Sequence, residues 1–170
     1  DYRSYAEGTR VETFSKERLA AAEPVIRNVQ ERLLRPGASI PAAVASLDPV
    51  SQTIGPGGSL SLPLPDGPRA VAGITLQLDA GDMAAALRST VVSMSFDGET
   101  TVRCPVGDFF GTGPGLHPWR GWYQTVAGDG SMTCYWVMPY QRSGIIEVTN
   151  RGSREVKVSL RDVATRSWTW

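Results

Sequence analysis

Between residues 60 and 163, apolar and polar side chains alternate in short runs, and each run is closed by a glycine, a proline or an Asp-Gly pair. Leu60, Leu62 and Leu64 alternate with Ser61 and Pro63. Ile74, Leu76 and Leu78 alternate with Thr75 and Gln77, and Val92, Met94 and Phe96 with Ser93 and Ser95. A period of two places every second side chain on one face, so each run reads as a half-buried strand. Thr100 to Val106, Met132 to Val137, Ile145 to Asn150 and Glu155 to Val163 read as further strands, with Asp97-Gly98 as a hairpin turn and Pro63 and Pro65 placing the first run at a sheet edge. Eighteen glycines and twelve prolines in 170 residues exceed the average combined usage of about 12%, and most of them fall between the runs. Short strands at turn-separated spacing predict an antiparallel β-sandwich.

Ahead of this region the period changes. Tyr2 to Phe14 reads as an extended arm, and Leu19, Val25, Ile26, Val29 and Leu33 then recur at helical spacing. Ser15 is a good N-cap and Glu17 suits the positive end of the helix dipole, which predicts one amphipathic helix over Lys16 to Leu34, ended by Arg35-Pro36-Gly37. Pro24 lacks an N–H and crowds the preceding turn, so a kink or restart is expected near Glu23. Residues 36–58 hold Pro36, Pro41, Pro49 and Gly55-Pro56-Gly57-Gly58 and read as a linker. The expected organisation is arm and helix over 1–35, linker over 36–58 and sandwich over 59–170. The chain opens on Asp1 and closes on Ser167-Trp168-Thr169-Trp170, which reads as a fragment of a longer protein.

Seventeen basic and seventeen acidic residues leave a formal net charge of zero. No basic excess exists to neutralise phosphates or anionic lipid, so neither nucleic acid nor a membrane is an expected partner. No run approaches the roughly 18 apolar residues of a membrane span. Cys104 and Cys134 are too few for a disulfide framework and lack zinc-site spacing, and they read as two separate thiols; compartment is left open. No repeat, heptad, P-loop or dinucleotide fingerprint is present. Gly111-Thr112-Gly113-Pro114-Gly115 has no Lys-Ser or Lys-Thr after it and reads as a flexible rim loop.

The chemistry-bearing residues are few. His117 is the only histidine and has no serine elbow beside it, which argues against a hydrolase triad, and no ligand spacing points to a metal or cofactor. Carboxylates remain, the equipment of glycoside hydrolysis. Asp97 and Glu99 flank Gly98 in a turn, where acidic residues serve the backbone. Asp108 lies at the end of a strand beside Phe109 and Phe110; it is the catalytic candidate, with capping of turn amides as the alternative. Trp119, Trp122 and Tyr123 crowd a loop beside His117, with Trp136 on the next strand and Tyr140 after it. Such rings suit the C–H faces of sugars, and they equally suit a core or an interface. His117, Trp119, Trp122 and Trp136 are therefore the expected substrate-binding residues.

Four segments carry a resemblance. Phe96-Asp97-Gly98-Glu99, Cys104-Pro105-Val106-Gly107-Asp108-Phe109-Phe110-Gly111, Trp136-Val137-Met138-Pro139-Tyr140 and Ile146-Glu147-Val148-Thr149-Asn150 resemble the ordered motifs of glycoside hydrolase family 172. The opening arm looks like the segment that follows a jelly-roll unit in longer members. The resemblance implies a mainly β fold, a jelly-roll-type sandwich with the N-terminal helix, metal-free action on fructofuranosides or arabinofuranosides, and oligomers. It also implies a departure. The family's catalytic glutamates lie in segments reading EGD and GTGTEDYF; this chain has no EGD, and Gly107 stands where the second would carry its glutamate. A second jelly-roll domain or subunit is then the expected partner that completes the site, with carbohydrate as the ligand. A non-catalytic carbohydrate-binding or structural sandwich is the alternative.

Overall fold

The computed structural model describes residues 4–11, 13–35 and 45–170; the expected linker residues Pro36, Gly37 and Pro41 lie outside them. The chain falls into two compact units, Asp1–Leu34 and Arg35–Trp170. In the first, α1 spans Lys16–Leu34, and Ser15 Oγ accepts the Arg18 N–H at 3.2 Å, the N-cap the sequence calls for. The helix continues through Pro24 without the expected restart. A proline removes one ladder bond, and here the bonds of the flanking turns hold the segment, together with an Arg27–Glu23 pair at 2.6 Å one turn apart. No residue of α1 is buried. Among the described residues no helix is long and apolar enough to cross a membrane.

The second unit is a sandwich of two antiparallel sheets. Its strands are β1 (Ala45–Ser46), β2 (Val50–Ile54), β3 (Ser59–Pro63), β4 (Arg69–Asp79), β5 (Thr90–Phe96), β6 (Glu99–Pro105), β7 (Trp119–Arg120), β8 (Gln124–Val126), β9 (Met132–Cys134), β10 (Met138–Tyr140), β11 (Gly144–Asn150) and β12 (Val156–Ser167). One sheet runs β1-β12-β4-β9-β8-β7, with β2 also on β12 and β10 also on β4; the other runs β3-β11-β5-β6. Late strands thus lie between early ones in both sheets, the interleaving of a jelly roll.

The expected linker needs correction. Residues 45–58 include β1 and β2, and β2 pairs with β12 from Val156↔Ile54 to Leu160↔Val50. Pro49 and the Gly-Pro-Gly-Gly cluster bound a strand whose polar outer residues, Ser51, Gln52 and Thr53, hid its period. The edge position of β3 agrees with its prolines, since β11 is its partner there.

The core follows the alternation. Leu60, Val92, Met94, Ile146 and Val148 on one sheet face Ile74, Leu76, Leu78, Val158 and Leu160 on the other, all at most 4% exposed. Burying a large aliphatic side chain contributes about 1.5–3 kcal/mol, which makes this face the main source of stability. Along β12 the inward set changes from Val156, Val158 and Leu160 to Val163 and Thr165, because the register shifts between Leu160 and Asp162. The hairpin read at Asp97-Gly98 is present, and both residues take positive φ, 56° and 92°, as a tight two-residue turn requires. Two short helices, α2 (Met83–Ser89) and α3 (Val106–Phe109), lie on either side of the β5–β6 hairpin in sequence. The expected strand of Thr100 to Val106 therefore stops at Pro105, and Asp108 sits on a helical turn instead of a strand end. Likewise the expected strand of Met132 to Val137 stops at Cys134, leaving Trp136 in the connection to β10.

Candidate functional site

Beyond β9 the first sheet extends into a narrow ribbon, in which β7 pairs with β8, and β8 with β9, which joins β4 through Ile74–Leu76. The aromatic residues are carried here. Tyr123 closes one end of the ribbon, since the Tyr135 N–H donates to its carbonyl at 2.7 Å. Next to it, the Trp136 N–H donates to Cys134 Sγ at 3.5 Å. The rings of Trp122, Tyr123 and Trp136 then form a continuous ladder. Trp122 and Tyr123 lie 6.4 Å apart at 83°, and Tyr123 and Trp136 lie 6.1 Å apart at 86°. Edge-to-face contacts of this kind let each ring hold the next in place. Tyr123 is 58% and Trp136 48% exposed, while Trp122 is half-buried.

Trp119 is seated differently. A Cβ at Gly111 would stand 2.9 Å from its indole, and one at Gly121 would stand 2.5 Å from it. The ring thus rests on two bare stretches of backbone, with 37% of the residue still exposed. His117 is exposed, and its Nε2 lies 3.2 Å from the Pro114 carbonyl in its own turn. The glycine-rich segment expected as a flexible rim is tied to α3: the Thr112 N–H donates to the Gly107 carbonyl at 2.8 Å and the Gly111 N–H to the Asp108 carbonyl at 3.2 Å. Gln124 Nε2 donates to the Phe109 carbonyl, joining the ribbon to the same turn.

Asp108 is half-exposed and forms an ion pair with Arg88 at the end of α2. Neither of the two other carboxylates singled out by sequence is placed as an obvious partner for it. Glu99 and Pro105 lie at opposite ends of β6, a run of about 20 Å at the usual strand rise, against the separation of about 5–9.5 Å that glycoside hydrolysis uses. Asp97 is occupied besides. Its carboxylate accepts the backbone N–H groups of Gln141, Arg142 and Ser143 at 2.7, 2.6 and 3.1 Å, and these bonds hold its pKa below the ordinary aspartate value. Gly107 is packed closed: a Cβ there would lie 2.9 Å from the Gly113 carbonyl oxygen and 3.2 Å from Leu87. A glutamate has no room at that position in this fold.

Sequence reasoning thus finds Trp122 and Trp136, which the structure links through Tyr123, and it finds Trp119 against the turn that carries Asp108. Tyr140, grouped by sequence with aromatics that suit either a sugar or a core, belongs to the core. It is fully buried, stacks on Phe96 at 5.7 Å, and donates its hydroxyl to the Pro65 carbonyl at 2.8 Å. Arg88 and Gln124 were missed, because a partner brought from a separate element leaves no local pattern. Both cysteines are free thiols, and burial pushes Cys134 up to about 11, which makes it inert as a nucleophile at neutral pH. No group of three or more metal-ligating side chains occurs among the described residues.

Compared with known proteins, residues 45–163 match a family model described as GH172 domain-like. No curated protein matches the chain.

Proposed function

This chain belongs to the GH172 domain-like family, and on that basis we propose that it is a module of a glycoside hydrolase acting on fructofuranosides or arabinofuranosides, in which it supplies a rigid frame and the rings on which sugar stacks. The observation that carries this reading is the ladder of Trp122, Tyr123 and Trp136, in which Tyr123 and Trp136 stand exposed and Trp122 is half-buried. The C–H groups of a sugar face meet the negative face of an aromatic ring favourably, and rings braced edge to face are preorganised for that contact. Trp119 and His117, both exposed, are further candidates for sugar contact. The catalytic acid and nucleophile come from a second jelly-roll domain or a second subunit, because Asp108 is ion-paired to Arg88 and neither Asp97 nor Glu99 is placed as its partner.

The Asp108–Arg88 pair also favours a second reading, a carbohydrate-binding or structural sandwich with no part in catalysis. Calorimetric titration of the chain with arabinofuranosyl and fructofuranosyl oligosaccharides tests the stacking role. The expected result is saturable binding with a negative heat-capacity change, weakened at least tenfold by Trp122→Ala or Trp136→Ala. Binding that both variants leave unchanged overturns the stacking role, and no heat with any sugar leaves the purely structural reading. Turnover that appears only when a second jelly-roll domain is added separates the hydrolase module from the non-catalytic binder.

A further inference from the structure

The helix of the first unit leaves its apolar side uncovered. No residue of α1 is buried, and Leu19, Val29 and Leu33 are each 48% exposed. With Ala22 and Ile26 they recur at alternating steps of three and four residues, at 19, 22, 26, 29 and 33. That spacing makes a narrow seam of the coiled-coil kind, with Leu19, Ile26 and Leu33 at a positions and Ala22 and Val29 at d positions. The seam is shorter than the three or more heptads by which a coiled coil is read from sequence. It emerges because the helix runs unbroken from Lys16 to Leu34, through the proline expected to interrupt it. Pro24 itself falls at f, on the far side of the helix from the seam.

The residues flanking the seam say what fits it. Arg18 stands at g, just before the first a position, and Glu23 at e, just after the first d position. In two parallel helices in register, each g residue faces the following e residue of its neighbour, so Arg18 of each copy meets Glu23 of the other. Glu23 can take this second cation, since both bonds from Arg27 end on its Oε1 and Oε2 is left for another guanidinium. Antiparallel copies set g against g, where Arg18 and Arg32 are both basic. A lipid surface fits poorly: α1 carries four basic and three acidic side chains and no aromatic ring, far from the basic polar face of a membrane-surface helix. We infer that α1 is the docking surface for a second copy of this chain, the two helices lying parallel and in register along the 19–33 seam. This is independent of the sugar-stacking reading.

The test is sedimentation equilibrium of the intact 170-residue protein, with the fold of each variant checked by circular dichroism. A reversible, concentration-dependent dimer is expected. Ile26→Asp puts a charge in the middle of the seam at a residue the fold does not bury, so it should weaken the dimer at least tenfold and leave the melting of the sandwich unchanged. Arg18→Glu and Glu23→Arg each set like charges across the seam, and each alone should weaken association at least threefold. An equimolar mixture of these two variants brings opposite charges face to face at both positions and should recover the native association. Monomer at every concentration up to about 1 mM, a dissociation constant too weak for a specific pair, overturns the inference. A dimer that Ile26→Asp leaves intact overturns it too, since the contact then lies elsewhere, and a mixture no stronger than its components overturns the parallel, in-register arrangement.

Discussion

Asn150 offers the sharpest test of how the sandwich is held closed. It is fully buried at the end of β11, and its side chain makes three hydrogen bonds. Nδ2 donates to the Ile54 carbonyl at 3.1 Å and to the Arg154 carbonyl at 2.7 Å, while Oδ1 accepts the Gly152 N–H at 2.8 Å. One amide therefore ties the β11–β12 turn to the end of β2. Asn150→Ala removes three hydrogen bonds worth about 1 kcal/mol each and strands buried partners, for an expected loss of about 3–5 kcal/mol. With a urea slope of about 2 kcal/mol/M, the midpoint should fall by roughly 1.5–2.5 M at an unchanged slope. Asn150→Asp keeps the acceptor and loses both donations, setting a carboxylate against two carbonyl oxygens. It should cost at least as much at neutral pH, and part of the loss should return as the medium is acidified into the carboxylate range. A loss below about 1 kcal/mol for Asn150→Ala would refute the reasoning, since water or a local shift would then replace the amide at little cost.

Gly107→Ala should destabilise by about 1–3 kcal/mol through overpacking against Leu87 and the Gly113 carbonyl. Gly81→Ala, where a Cβ meets nothing within 4 Å, should stay within about 0.5 kcal/mol; equal effects in denaturant melts would show that the close contact is not what excludes a side chain at 107. For Asp97, the folded pKa is depressed by three backbone N–H bonds. Its contribution is thus present above the unfolded aspartate value near 3.9 and lost as pH falls through the folded value. The stability gap between the native chain and Asp97→Asn, followed by urea midpoints from pH 7 downward, should narrow below about pH 4; a gap that stays constant with pH would remove the carboxylate's charge from the account.

Much of the sandwich is legible in the sequence because its core strands bury one face and so repeat every second residue, as in Val92, Met94 and Phe96. Where both neighbours of a buried residue are absent or the strand has a polar exterior, the pattern vanishes, which is why β2 reads as linker. The end of β6 was misplaced because Val106 continues the apolar pattern into a helical turn. The segments that resemble a family turn out to mark structure more than chemistry. Asp97 clamps a loop, Gly107 admits a carbonyl and a leucine, Tyr140 fills the core and Asn150 closes a turn. The ring ladder was only half visible: sequence placed Trp122 and Trp136 near each other in chain order, but the backbone bond from Tyr135 to Tyr123 that aligns them is a tertiary pairing with no local signature.

The ribbon that carries the rings is attached to the rest of the first sheet by the three-residue register of β9 on β4. Ring-bearing positions 119, 122, 123 and 136 therefore lie outside the long registers between β12 and β4 and between β11 and β5. Changes at the ribbon tip need not propagate inward, so chains sharing this frame are free to trade one set of side chains there for another. Ligand preference in such relatives should diverge faster than the frame that displays it.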